Sequence, residues 1–291
     1  MIKEIEAKVL LSTCKDPSAW FGVRYTMNIY RGCEHQCIYC DSRSECYGIE
    51  DFRDVLVKVN AIALLRKELR SKRRKGTVGT GSMSDPYTPA ERRYSLTGQA
   101  LAVLREMGYP VHITTKSDMV LRDLDTLREI ARATWASVAL TLTTVDDGLA
   151  AKIEPGAPSP SRRLLAMKEL AAAGVCAGAA MMPILPLIED NEENIRAIVE
   201  AVHAAGGRFI FPGFGMTLRD RCRVYYYEQL DRLFPGLTPQ YQRRYGERYN
   251  CPVPNARALG QVFEALCARY SIETRSPQGP QNLNPEQLPL F

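Results

Sequence analysis

The chain has 291 residues, 45% hydrophobic and 24% charged, enough apolar mass for one large globular core or two small ones. That balance excludes a disordered chain, a fibrous repeat and a disulfide miniprotein, and no apolar run reaches the ~18 residues a membrane span needs. The net charge of +5, carried mostly by arginine, suits an anionic partner without specifying one.

The first residues carry acids at Glu4 and Glu6 and no small-residue cleavage site, so they do not read as a secretory signal. A cytoplasmic protein is expected, with residues 1–24 as an N-terminal segment. A first strand is expected at 25–29, and residues 56–69 are apolar at helical spacing. Short β-type runs then alternate with helical patterns. The expected strands are 77–81, 111–115, 137–142, 175–182 and 208–212; the helices that follow them are 96–106, 121–133, 162–173, 191–205 and 224–234. Six strand–helix units in succession predict an α/β body over 25–235, with a parallel sheet and right-handed crossovers. Periodicity leaves an open sheet and an incomplete barrel both standing, and in either case ligands collect at the carboxyl ends of the strands. Residues 236–275 form a C-terminal extension, Tyr/Arg-rich and then helical at 258–270. Residues 276–291, rich in Pro, Gln and Asn, read as a flexible tail.

Nine cysteines in an intracellular chain argue against a disulfide framework. Six are scattered, but Cys33, Cys37 and Cys40 fall within Arg31-Gly32-Cys33-Glu34-His35-Gln36-Cys37-Ile38-Tyr39-Cys40. Three thiols this close cannot all enter a core, and thiolates are the standard ligands of iron–sulfur cubes. A structural zinc ion is the alternative, with His35 or Cys46 as a fourth ligand.

This C-x3-C-x2-C spacing, with Tyr39 before the last cysteine, resembles the signature of radical S-adenosylmethionine enzymes. Four stretches, YRGCEHQCIYC, GTGSMSDPYTPAE, HITTKSD and VALTLTTVDDGLAAKIEPGAPSPSRR, are similar to the spore photoproduct lyase family and its wider relatives. The resemblance implies a partial (β/α)6 TIM-like barrel with a C-terminal helical extension. It also implies a [4Fe–4S] cluster on Cys33, Cys37 and Cys40, with S-adenosylmethionine chelated to the open iron and cleaved to a 5′-deoxyadenosyl radical. An electron donor such as flavodoxin or ferredoxin is implied with them. By the same resemblance Tyr39 packs near the adenine, and the turn holding Ser82 and Asp85 meets the methionine amino group. Lys116 pairs with the methionine carboxylate and Thr141 contacts the ribose. Glu154-Pro155-Gly156 matches a shared loop to which no role is attached.

One departure bears on the reaction. The lyase proper carries a hydrogen-donating cysteine in the loop after the second strand, where this chain has Ser82 or Met83. A serine O–H is too strong to give hydrogen to a carbon radical. Cys46, Cys222 and Cys251 are the remaining candidate donors, although a small buried residue is the plainer reading of each. Tyr225-Tyr226-Tyr227 can relay radicals or stack on bases, and aromatic packing explains them as well.

The tail ends in Gln287-Leu288-Pro289-Leu290-Phe291, which resembles the short motif by which bacterial DNA-processing proteins dock on the sliding clamp. Gln287 would fix register while Leu288, Leu290 and Phe291 enter an apolar pocket. Arg243-Arg244-Tyr245-Gly246-Glu247-Arg248-Tyr249 interleaves cations with aromatics, as single-strand binders do, and a solvated amphipathic helix explains the pattern almost as well. The expected substrate is therefore a damaged or modified base in DNA. Radical modification of RNA or a peptide, and a non-catalytic iron–sulfur DNA-binding sensor, are the alternatives.

Overall fold

The computed structural model describes residues 1–17, 21–49, 51–52 and 54–279. The chain opens with β1 (Ile2–Ile5) and β2 (Leu11–Thr13), then β3 (Tyr25–Met27) and the short β4 (Tyr30–Arg31) that leads into the cysteine loop. Next come β5 (Val55–Lys58) and α1 (Ala61–Arg70), β6 (Val78–Thr80), α2 (Glu91–Tyr94) and α3 (Leu96–Glu106). The alternation continues through β7 (Val111–Thr115), α4 (Leu124–Ala133), β8 (Ala136–Thr141), α5 (Asp147–Ile153) and α6 (Pro160–Ala172). It ends with β9 (Cys176–Met181), α7 (Glu192–Ala204) and β10 (Phe209–Pro212).

Seven strands form the main sheet in the order β10-β9-β8-β7-β6-β3-β2. The six from β10 to β3 pair in parallel, and β2 closes one edge antiparallel to β3. This is the expected α/β body with six parallel strands, and the sheet stays open between β2 and β10. A second, three-stranded sheet pairs β1 in parallel and β4 antiparallel with β5.

The strands sort their side chains by size. Val111, Ile113, Val138, Leu140, Ala177 and Ala179 enter the main core together with helix residues such as Leu104, Ile130 and Ile198. Alternate positions point the other way, and there the sheet presents Gly79, His112, Ser137, Ala139, Gly178 and Ala180. A Cβ on Gly178 would meet the Phe209 ring at 2.5 Å, and one on Gly79 would meet Val23 at 2.5 Å. His112 is held by Ser137 Oγ (2.7 Å) and Thr114 Oγ1 (3.1 Å) and stacks on Phe21 at 4.3 Å. Burial pushes its pKa down to about 3, so it packs as a neutral ring.

Residues 56–69 differ from the helix expected there. Val55 and Val57 are buried while Leu56 and Lys58 are half-buried, a two-residue period that makes β5, and the helix starts only at Ala61. Helix α4 starts three residues later than expected, because a 3-10 turn capped by the Ser117 hydroxyl occupies Asp118–Asp123. The extension consists of β11 (Gly215–Thr217), α8 (Asp220–Leu233), α9 (Leu237–Tyr245), β12 (Asn250–Pro252) and α10 (Ala256–Tyr270). The α9 helix, which periodicity did not predict, buries Tyr241 and Tyr245 one turn apart and leaves Arg243 and Arg244 in solvent. The strands β11 and β12 pair as an antiparallel ribbon, and α10 packs on α7. Among the described residues no helix is long and apolar enough to cross a membrane.

Candidate functional site

The loops at the carboxyl ends of the parallel strands surround a cavity of about 550 Å³. Cys33, Cys37 and Cys40 all line it, as do Tyr39, Ser82, Asp85, Lys116 and Thr141. Residues expected from four separate stretches therefore meet at one place. Gly81 makes the β6 turn possible: its φ is +100°, and a Cβ there would lie 1.9 Å from the Thr114 carbonyl oxygen.

The cysteine loop is shaped by its own backbone and by a partner loop. Gln36 adopts φ +53°, which turns its side chain back to donate to the Cys33 carbonyl oxygen (2.9 Å) and to that of Phe52 (3.2 Å). The segment after α5 lies directly against this loop. The Ile38 N–H donates to the Ile153 carbonyl (2.9 Å), and the Gly156 N–H donates to the His35 carbonyl (2.9 Å). The approach is so close that a Cβ on Gly156 would sit 2.2 Å from the Glu34 carbonyl oxygen.

Glu154, between those two contacts, is buried and carries the electrostatics of the site. It accepts a hydrogen bond from the Tyr39 hydroxyl, pairs with Arg163 at 2.5 Å and lies 3.7 Å from Lys116 Nζ. Arg163 also donates to the Thr141 carbonyl oxygen (3.0 Å), so the same network reaches the end of β8. Burial opposes the Glu154 charge, but Arg163 and Lys116 hold its carboxyl below the usual range. Burial likewise works against the Lys116 ammonium, and Cys37 and Glu154 outweigh it, so the lysine stays charged. Sequence reasoning attached no role to Glu154. Its partners are 115, 38 and 9 positions away, given by residues 39, 116 and 163, so local pattern carries no trace of them.

Asp85 is committed on both oxygens. It accepts from the Thr115 hydroxyl (2.6 Å), the Lys116 N–H (2.7 Å) and the Tyr87 N–H (2.9 Å), and lies 3.4 Å from His35 Nδ1. Burial alone would raise its pKa, but His35 and these donors bring it down to about 2. It thus ties the turn after β6 to the end of β7 and to the cysteine loop. Glu189, also buried, forms no ion pair among the described residues: the Leu185 N–H donates to one oxygen (2.9 Å), Thr143 faces the carboxyl, and Lys116 offsets the burial only in part. Burial pushes its pKa well above the ordinary 4.5.

The three remaining candidate thiols are placed differently. Cys46 is exposed and takes no part in lining the cavity. Cys222 is buried against the Asp41 carbonyl oxygen (3.4 Å), also outside it. Cys251 borders the outer wall from β12, packed with Met216 and the tyrosine cluster. Within that cluster Tyr226 and Tyr241 share a hydrogen bond (2.9 Å), and both are fully buried. Tyr226 is therefore packing, whereas Tyr225 covers Arg43 at 3.7 Å. The Gln287–Phe291 motif lies outside the described residues.

The donor set discriminates between metals. His35, the first possible fourth zinc ligand, turns its Nδ1 to Asp85, and Cys46, the second, faces solvent. Among the described residues no three His, Cys, Asp or Glu side chains converge as a single ion requires. Three sulfurs around an open space suit a cube that brings its own sulfide and leaves one iron for another ligand.

The model of the radical SAM superfamily matches residues 27–205, more than half of the chain. An uncharacterized protein of Mycobacterium tuberculosis is 33% identical over 279 residues, covering 92% of this chain and 82% of its own. One from Methanocaldococcus jannaschii is 34% identical over 194 residues, covering 66% and 70%. Among solved structures, spore photoproduct lyase complexed with dinucleoside spore photoproduct superposes with a TM-score of 0.70 at 16% identity, over 92% of this chain and 79% of that one. At that identity the likeness concerns the fold.

Two outcomes follow from the packing. Gly156→Ala should cost about 1–3 kcal/mol and lower Tm by about 2–10 °C, and should reduce the iron bound per chain after reconstitution. Unchanged melting and iron content would show the two loops to be independent. A carboxyl whose folded pKa is raised stabilises the fold below its ordinary value and loses that contribution as pH rises. Glu189→Gln should therefore gain stability over the native chain between about pH 5 and pH 8, read from denaturant midpoints. A constant difference across that range would contradict a neutral Glu189.

Proposed function

The chain belongs to the radical SAM superfamily and is a radical enzyme, and within that family we propose that it takes a hydrogen atom from a damaged or modified base in DNA. Cys33, Cys37 and Cys40, which line the cavity together, would hold a [4Fe–4S] cluster with S-adenosylmethionine beside it. Together, when bound, they supply a carbon-centred radical able to break a C–H bond. The protein's part is to bind, orient and shield. Lys116 meets the methionine carboxylate as a cation already fixed by Glu154, and Thr141 meets the ribose at the end of β8. Tyr39, its hydroxyl fixed on Glu154, packs its ring against the adenine. A low-potential donor such as flavodoxin or ferredoxin provides the electron, in the cytoplasm.

The observation that carries the choice of substrate is the outer half of the cavity. Met83, Met182, Pro183, Phe214, Met216 and Pro252 give it apolar faces, with Thr217 and Asn250 as its polar points. Its carboxylate, Asp41, is already paired with Arg219 at 2.5 Å. Such a wall suits a flat, neutral ring with hydrogen-bonding edges better than a phosphate or a charged side chain. The similarly folded lyase holds a dinucleoside lesion. By resemblance Ser82 or Met83 falls where that lyase has its cysteine, so restoration of the spore lesion by the same donor is not the reaction proposed. The tail motif Gln287–Phe291 brings the enzyme to DNA by docking on the sliding clamp.

With the cluster reconstituted anaerobically and reductant and S-adenosylmethionine added, ultraviolet-damaged DNA should raise 5′-deoxyadenosine formation several-fold. Formation indifferent to DNA would move the substrate to RNA or a peptide, and none at all with an intact cluster would favour a sensor. Deleting the last five residues should abolish binding to the clamp and leave cofactor cleavage as it was; unaltered clamp affinity would dispose of the docking role.

A further inference from the structure

Arg43 is the third residue after the last cysteine, and its N–H donates to the Cys40 carbonyl oxygen (3.3 Å). Its side chain turns inward beneath the cysteine loop and is only 8% exposed. One guanidinium nitrogen donates to Gln36 Oε1 (3.1 Å), the same amide whose nitrogen holds the Cys33 carbonyl oxygen (2.9 Å). The guanidinium lies between two aromatic faces, 4.3 Å from the Phe52 centroid and 3.7 Å from that of Tyr225.

The partners it lacks are informative. Arg163 pairs with Glu154, Arg122 with Glu91, Arg219 with Asp41 and Arg223 with Glu247. Among the described residues no carboxylate pairs with Arg43. Burying a cation without a counter-charge is strongly disfavoured, and two aromatic faces offset only part of the penalty. Arginine does not escape the penalty by losing its proton. An anion is therefore needed beside this loop. Three thiolates around an iron–sulfur cube provide one, and the added electron makes that anion stronger.

We infer that Arg43 sets how readily the cluster accepts its electron, as a buried cation that stabilises the reduced state and so raises the reduction potential. The inference rests on Cys33, Cys37 and Cys40 holding the cluster. Arg43 touches no reacting atom; it is a positioning residue for charge. Its aromatic cover keeps water from screening the field, so the effect depends on Tyr225 as well as on the charge.

The test is a redox titration of the reconstituted enzyme, following the electron-paramagnetic signal of the reduced cluster. Arg43→Gln should lower the equilibrium constant for reduction about tenfold, about 59 mV for one electron. Arg43→Lys, which keeps the charge, should stay within about threefold of the native enzyme. Tyr225→Leu, which keeps the arginine but admits water, should shift the constant in the same direction by less. An unmoved potential in Arg43→Gln would overturn the inference, as would Arg43→Lys falling equally far, since geometry rather than charge would then be responsible. If Arg43→Gln binds no iron, an unmoved potential in Tyr225→Leu overturns it instead. A native chain that takes up no iron at all would overturn the cluster assignment itself, an outcome distinct from these.

Discussion

The site depends on one contact, the close approach of residues 153–156 to the cysteine loop. Two backbone hydrogen bonds and the bare Cα of Gly156 bring Glu154 beside Tyr39, and that single carboxylate then answers for Lys116 and Arg163. Without it the buried Arg163 and the half-buried Lys116 would be left without a counter-charge, a configuration strongly disfavoured. With it, the end of β7, the end of β8 and the cysteine loop are fixed to the same carboxylate. Asp85 acts in parallel on the opposite side, joining the turn after β6 to Lys116 and His35.

The room these groups face is made by the sheet. On the helix side the strands carry Val, Ile and Leu, which fill the main core. On the other side they carry mostly small residues, such as Gly79, Ala139, Gly178 and Ala180, with His112 and Phe209 packed against Phe21 and Val23. A sheet with large residues on both faces would fill its own centre, as closed barrels do. Here that face is packed by Phe21, Val23 and Phe209, and the cavity opens beyond it, where Gly81, Thr115 and Thr141 line it at the carboxyl ends of the strands.

Much of this was legible in the sequence, for definite reasons. The six parallel strands are runs of apolar, mostly β-branched or small residues separated by helical patterns, and both signals are local. The cysteine triad is local too. Lys116, Thr141, Ser82 and Asp85 could be picked out by resemblance because each follows a strand, where the fold collects its loops. Glu154 and Arg43 were not legible as functional. The first acts through residues far away in sequence, and the second is distinguished only by the partner it lacks. The spacing over 56–69 predicts helix from its first residue because Leu56 fits both periods, and only pairing with β1 and β4 makes residues 56–58 a strand. Helix α9 was missed because its polar face dominates the composition, while Tyr241 and Tyr245 alone mark the buried one.

The cavity is built by two parts of the chain that are far apart in sequence. The cysteine loop and the strand ends between residues 33 and 141 supply most of the lining, whereas Met182, Pro183 and Phe214, with Met216, Thr217, Asn250 and Pro252 from β11 and β12, supply most of the rest. The ribbon pairs only with itself and is joined to the sheet by a short connection after β10. Under the function proposed above, the part of the chain that would hold the cofactor and the part that would meet the substrate are separate, so a change confined to the ribbon would alter what the site presents while leaving the cysteine loop as it is.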